Sequence, residues 1–165
     1  MRTHLLAIMF VAATATSALA QQATTQFLSD KDIMGLIEKA KADRKGDAPT
    51  VAEPILLLAP YKAQLEYRPG TGPAAVHEKD AELFVVLQGT GNIVSGGKLV
   101  DEKRVNSANL SGPSIEGGHS QAVVKGDMLI VPNNTPHQVI PTGGAPIVVM
   151  TMHVPYPMPG WPPTN

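Results

Sequence analysis

The sequence of 165 residues contains no cysteine, and this absence limits the chemistry open to it. Disulfide bonds, thiolate metal ligands and a bacterial lipid anchor on cysteine are all excluded, so a metal ion would have to bind histidine, carboxylate or backbone oxygen. Charged residues are also sparse, at 16% of the chain, and no run of basic side chains occurs. A near-neutral chain of this kind is a poor candidate for binding nucleic acid or an anionic membrane surface.

The N-terminal segment has the order of a secretory signal peptide. Arg2 and His4 make a short basic start, residues 5–13 are almost wholly apolar, and residues 18–20 (Ala-Leu-Ala) form a small-residue cleavage site. The apolar run is too short to span a bilayer of about 30 Å, which favours a cleaved leader over a membrane anchor. We therefore expect an exported protein, periplasmic or secreted, with residues 1–20 removed.

The mature chain is expected to be one domain with an all-β core. Gly and Pro, at 15 each, indicate many turns, and short apolar or alternating runs between the turns predict a sandwich or a closed barrel. We assign residues 21–54 to an N-terminal extension, residues 55–154 to the β-domain and residues 155–165 to a Pro-rich tail.

One helix is predicted, over residues 29–45 of the extension. Ser29 and Asp32 make a capping-box pair, and an apolar stripe follows on one face of the helix. Among the β-like runs, Gly96-Gly97 predicts a hairpin between its flanking strands. Residues 101–118 are polar and rich in Gly, Asn and Ser, and they predict a long loop.

Two segments of the β-domain carry the strongest functional signal. In the first, a glutamate follows a histidine by five residues and a glycine follows by seven more. In the second, a Gly-Asp turn, an apolar strand and a Pro-bounded turn lead to a histidine. The spaced residues are His77, Glu82 and Gly89 in the first segment, and Gly126, Pro132 and His137 in the second.

These segments resemble the two signature motifs of the cupin superfamily. The resemblance implies a single cupin-type double-stranded β-helix (jelly-roll) barrel with one N-terminal α-helix. It departs from the family pattern at Ala75, which stands where a further metal-binding histidine is usual, and at Asn134, which stands where a glycine is usual. Asn tolerates a positive φ better than most residues, so the turn before His137 is expected to form.

The resemblance implies a mononuclear divalent metal on His77, Glu82 and His137. Strand alternation supports it, because an inward Glu82 places Phe84 and Val86 inside the barrel as well. Two histidines and a carboxylate suit Fe(II) or catalytic zinc, and Mn, Ni and Cu remain open. The alternative is a pocket without metal, in which the histidines form hydrogen bonds and Glu82 pairs with a cation.

Further side chains are candidates for moving protons in such a pocket. His119 and Tyr67 are named as catalytic candidates, His119 as a base and Tyr67 as an acid or hydrogen-bond donor. His119 and His153 are each also considered as a fourth ligand, against a surface position for His119 and a structural role for His153.

The resemblance implies two functions between which the sequence does not choose. One is an enzyme of dioxygenase, lyase or isomerase type that acts on a small oxygenated organic substrate. The other is a periplasmic binding or sensing module that holds a small molecule without turnover, with or without a metal ion. A homodimer is expected in either case, because small cupins often are dimers.

Overall fold

The computed structural model describes residues 25–59 and 61–156. The expected signal peptide and nearly all of the Pro-rich tail lie outside these residues. None of the described helices is long and apolar enough to cross a membrane.

The described chain forms one helix followed by strands, which confirms the all-β fold with one helix predicted from the sequence. The elements, in chain order, are α1 (Asp30–Asp43), β1 (Val51–Leu58), β2 (Tyr61–Arg68), β3 (Ala74–His77), β4 (Asp80–Gln88), β5 (Thr90–Ser95), β6 (Lys98–Leu99), β7 (Lys103–Asn106), β8 (Asn109–Gly112), β9 (Ile115–Glu116), β10 (His119–Val124), β11 (Met128–Val131), β12 (His137–Pro141) and β13 (Ile147–Pro155).

Two large antiparallel sheets build the domain, and β6 and β9 form a separate two-stranded sheet. The first has the strand order β1-β2-β13-β4-β11, and the second has the order β10-β5-β12-β3-β8-β7. Apolar side chains from both sheets pack between them in one buried cluster, which includes Phe84 of β4, Ile93 of β5 and Val139 of β12. This packing leaves the inward residues of each strand in contact with the opposite sheet.

Helix α1 packs on the outer face of the first sheet. The Ser29 side chain accepts a hydrogen bond from the Asp32 backbone and the Asp32 side chain accepts one from the Ser29 backbone, so the predicted capping box is present. Ile37 and Ala40 are buried against Leu65 and Tyr67 of β2. The odd-numbered residues of β2 therefore face the helix, and the even-numbered polar residues face the interior.

Two local predictions from the sequence are wrong. Residues 101–118 are not one long loop, because they contain β7, β8 and β9, and β8 pairs with β3 of the main sheet. Gly96-Gly97 does not join a hairpin, because β6 pairs with β9 while β5 pairs with β10 and β12. Both errors come from long-range pairing, which local composition does not encode.

Candidate metal centre

Three histidines surround one carboxylate at one end of the space between the sheets. Oε2 of Glu82 lies 2.8 Å from Nε2 of His137 and 3.2 Å from Nε2 of His77. Oε1 of Glu82 lies 3.7 Å from Nε2 of His153. Ligand atoms of His77, Glu82 and His153 all lie within 4.8 Å of one another. We call these four residues the His₃Glu cluster.

The two sheets contribute equally to the His₃Glu cluster. His77 ends β3 and His137 begins β12, and these strands are neighbours in the second sheet. Glu82 of β4 and His153 of β13 are directly paired in the first sheet. Because all four side chains point between the sheets, the cluster forms only when the sheets pack together.

Three separations in the cluster, from Glu82 to each histidine, are close to the edges of a metal coordination sphere. Two atoms each about 2.1 Å from a metal ion lie about 3.0 Å apart at a right angle and about 3.4 Å apart at the tetrahedral angle. The three distances from Glu82 to the histidine nitrogens, 2.8, 3.2 and 3.7 Å, span this range. Three imidazoles and one carboxylate are a donor set that first-row divalent metals accept, so the residues present fit such an ion.

Hydrogen bonds on the far side of two rings orient them toward Glu82. Nδ1 of His137 donates to the backbone oxygen of Thr135 at 3.1 Å, and Nδ1 of His77 donates to Oδ1 of Asn109 at 2.8 Å. A ring that donates through Nδ1 presents Nε2 to the site, which is the arrangement commonly found around metal-binding histidines.

The turn that leads into His137 has the conformation predicted for it. Asn134 takes a φ of 55°, in the left-handed region where a glycine is usual, and this confirms that Asn can hold the turn. The Asn134 N–H donates to the backbone oxygen of His77. The turn thereby ties the two histidine-bearing segments together.

His77 and His137 lower the pKa of Glu82, although burial alone would raise it. Burial raises the pKa of a carboxyl group, but hydrogen bonds from His137 and His77 outweigh it and hold the pKa of Glu82 well below its ordinary value. Burial lowers the pKa of His77, but its bonds to Glu82 and Asn109 outweigh this and leave that pKa raised. Burial lowers the pKa of His153, which favours its neutral, metal-binding form.

A cavity of about 170 Å³ opens beside the cluster. All four cluster residues line it, together with Ala75 and the inward polar residues of β2, which are Gln64, Glu66 and Arg68. Ala75 lies directly opposite His137 in the β3–β12 ladder. Part of the cavity exists because Ala75 has a small side chain where a histidine is usual.

The structure does not bring the two sequence-predicted catalytic residues to the cluster. His119 begins β10, where its side chain is exposed, and no residue of β10 lines the cavity. Tyr67 packs under α1, on the face of β2 that points away from the cavity, because strand alternation turns it opposite to Glu66.

His153 is the cluster residue whose place the sequence left undecided. Alternation along β13 puts it on the same face as Val149 and Thr151, which point between the sheets. That signal was available in the sequence. Its pairing with Glu82 was not, because the register between β4 and β13 joins residues far apart in the chain.

Comparisons with known proteins agree with this architecture. No protein-family model and no curated protein matches the sequence. The structure is similar to an uncharacterized conserved protein with a double-stranded β-helix domain from Klebsiella pneumoniae, at 13% identity and a TM-score of 0.54, over 80% of this chain and 91% of that one. It is also similar to the cupin domain of Cnp3 from Schizosaccharomyces pombe, at 12% identity and a TM-score of 0.50, over 70% and 71% of the two chains.

A third similar structure is that of HppE in its Fe(II) form, at 13% identity and a TM-score of 0.51, over 67% of this chain and 54% of that one. Identities this low establish a shared fold and no more, so the function must be argued from the site. With two packed antiparallel sheets, both motif segments in place and these structural relatives, the chain has the cupin fold.

Proposed function

We propose that the protein binds one divalent metal ion at the His₃Glu cluster and is an enzyme acting on a small oxygenated organic molecule. The observation that carries the proposal is the buried Glu82 carboxylate, which faces three histidine Nε2 atoms at 2.8, 3.2 and 3.7 Å beside a cavity. Titratable groups gathered in a cleft with shifted pKa values are typical of functional sites.

Three imidazoles and a carboxylate suit Fe(II), Mn, Zn or Ni, and no cysteine is present to favour a softer ion. Such an ion supplies Lewis-acid or redox chemistry to a substrate in the cavity, of the dioxygenase, lyase or isomerase type. The chain's own residues fix the positions of the ligand atoms, and the cavity limits the substrate to a small molecule.

One observation favours a second function, a binding or sensing module that works without metal. Glu82 is within hydrogen-bond distance of His77 and His137, so the cluster satisfies its own polar atoms. In the described residues no buried side-chain nitrogen or oxygen lacks a partner. The same cavity could then hold an organic ligand directly.

Elemental analysis of the tag-free protein tests the metal site. We expect a near-stoichiometric first-row metal in the wild type, or its uptake on adding Fe(II), Mn, Zn or Ni, and its loss in His77→Ala, His137→Ala and Glu82→Gln. The matched control is His119→Ala, because His119 is exposed and away from the cavity, and it should keep the metal. A wild type that neither carries nor takes up these ions contradicts the metalloenzyme proposal.

The His137→Ala variant also separates the two functions. If the protein is a metalloenzyme, this variant loses metal and turnover together, once a substrate is found. If the protein is a binding module, the variant keeps its affinity for an organic ligand that does not contact His137.

We further propose that the protein is exported and forms a homodimer. The signal-peptide pattern of residues 1–20 supports export. The dimer is supported by the resemblance, because small cupins are often dimers. N-terminal sequencing of the expressed protein should show cleavage after Ala20. Light scattering of the mature chain should give twice the mass of one chain, and a single-chain mass would contradict the dimer.

A further inference from the structure

A row of polar side chains faces the cavity from β2, on the wall next to the His₃Glu cluster. Gln64, Glu66 and Arg68 line the cavity, and alternation along β2 turns all three inward. Glu66 is only 5% exposed. A carboxylate this deeply buried requires partners, since a buried unpaired charge is strongly unfavourable.

Every acceptor site of the Glu66 carboxylate is in use. Oε1 accepts from Nε2 of Gln64 at 2.7 Å and from Oγ1 of Thr151 at 3.4 Å. Oε2 accepts from Nε and Nη2 of Arg68 at 2.8 and 2.5 Å. The hydrogen bonds to Glu66 therefore fix the position of Arg68, and the Glu66 carboxylate has no lone pair left to accept a bond from a ligand.

Arg68, in contrast, has N–H donors that are not used in hydrogen bonds to Glu66. Its Nη1 makes no hydrogen bond to any residue in 25–59 or 61–156, and no buried side-chain nitrogen or oxygen in that part of the chain is without a partner. Nη1 is therefore open to solvent. Because Glu66 holds the guanidinium by Nε and Nη2, the two N–H groups of Nη1 are fixed in direction before a ligand arrives.

The free group on this wall selects an anionic acceptor. Nη1 of Arg68 offers only hydrogen-bond donors and carries part of the positive charge of the guanidinium. A carboxylate oxygen is such an acceptor and brings a single negative charge, whereas a phosphate monoester would bring nearly two.

We propose that Arg68 binds the carboxylate of a small organic monoacid and that Glu66 is the positioning residue that orients Arg68. The idea that this acid is the substrate rests on the proposed function, but binding by Arg68 does not require metal. The pair is a weak source of stability in itself, because replacing a buried ion pair by apolar residues is often neutral or stabilising. Ligand binding gives a reason for its presence on the wall of a cavity.

The test is calorimetric titration of the mature protein with glycolate, lactate and pyruvate, each compared with its uncharged amide. Metal content is measured in every sample, and the titrations are repeated after metal removal. We expect at least one acid to bind about tenfold to a hundredfold more tightly than its amide, as hydrogen bonds to a charged group allow.

Four variants assign this preference to Arg68. In Arg68→Met the preference for the acid should disappear. In the double variant Glu66→Gln/Arg68→Met it should also disappear, although the net charge of the wall is unchanged and no buried carboxylate is left unpaired. In Glu66→Gln the preference for the acid should fall without disappearing, because Arg68 keeps its charge but loses the carboxylate that fixes its direction. Lys31→Met is the control, since Lys31 is an exposed cation on α1, on the outer face of the first sheet, and its loss should leave binding as in the wild type.

The double variant keeps the test decisive if Arg68→Met fails to fold. Equal binding of acids and amides, no binding of any of the three acids, or wild-type acid binding by the double variant overturns the role of Arg68 even if the metal is present. Absence of metal with Arg68-dependent acid binding overturns the metalloenzyme proposal and leaves the carboxylate site standing.

Discussion

Glu82 shows how neighbours decide the behaviour of a single side chain. Its side chain is 5% exposed, and burial alone would raise its pKa and favour the neutral acid. The imidazoles of His137 and His77 reverse this, so the group is an anion in the folded protein. The resemblance of its segment to the first cupin motif predicted Glu82 as a metal ligand. It did not reveal how many histidines would meet it.

The ion pair between His77 and Glu82 gives the metal-free protein a pH dependence. The pKa of Glu82 is lowered, so its stabilisation is present above its ordinary value of 4.5 and is lost as the pH falls through the folded-state value. The pKa of His77 is raised, so its stabilisation is complete below its ordinary value of 6.5 and is lost as the pH rises through the folded-state value.

We therefore expect His77→Gln to destabilise the metal-free protein more at about pH 5.5 than at about pH 8.5, as measured by thermal unfolding after chelation. Comparison with the variant is needed because the pKa of His153 shifts downward and gives the opposite dependence. The same change at the exposed His119 is the control. An equal loss at both pH values would show that His77 is not paired as a cation.

The position of Ala75 allows a test of His153 as a ligand. His153→Ala should weaken metal affinity by at least about tenfold, measured by competition with a chelator. Adding Ala75→His should recover affinity, because residue 75 faces the cavity opposite His137 and would supply an imidazole from the other sheet. Ala75→Gln in the same background is the control. Wild-type affinity in His153→Ala would reduce the ligand set to His77, Glu82 and His137.

At the scale of elements, local sequence was informative where one strand or helix contains the whole signal. The capping box and apolar stripe identified α1, and alternation put Glu82 with Phe84 and Val86 on one inward face. The sequence of β2 also alternates between two faces, but alternation alone does not say which face meets the helix. In the structure, the face with Tyr67 packs against α1, and the face with Glu66 lines the cavity.

Helix α1 should contribute stability without affecting the site. Ile37 is 1% exposed in the cluster between α1 and the first sheet, so Ile37→Ala should cost about 2–5 kcal/mol of unfolding free energy in a denaturant titration. Metal content should be unchanged, because this cluster lies on the outer face of the sheet. Met34→Ala, at an exposed position of the same helix, should change stability by less than about 0.5 kcal/mol. Metal loss in Ile37→Ala would show that the helix supports the site.

At the scale of the whole molecule, the His₃Glu cluster joins the two sheets. Glu82 and His153 come from one sheet, and His77 and His137 come from the other. A metal ion held by all four would bind only the folded chain, because unfolding separates the sheets. Metal affinity therefore adds to folding stability.

Metal should accordingly raise the unfolding temperature. At a free concentration of about 100 Kd the gain is about 2.7 kcal/mol, which corresponds to an increase on the order of 5–15 °C for a domain of this size. This increase in unfolding temperature is measured by differential scanning calorimetry, with and without the ion that elemental analysis identifies. Glu82→Gln should show little increase, and an equal increase in that variant would place the binding elsewhere.

The sequence by itself determined the helix, from its capping box and apolar stripe, and the fold class, from its turn-rich composition and the resemblance of two short segments to the cupin motifs. These signals do not depend on how distant parts of the chain pack. Only the tertiary structure decided that His153 joins Glu82, that Tyr67 and His119 lie away from the cavity, and that Arg68 lies on its wall. These outcomes depend on strand register and on which face of each sheet is covered, and both are set by packing between residues far apart in the chain.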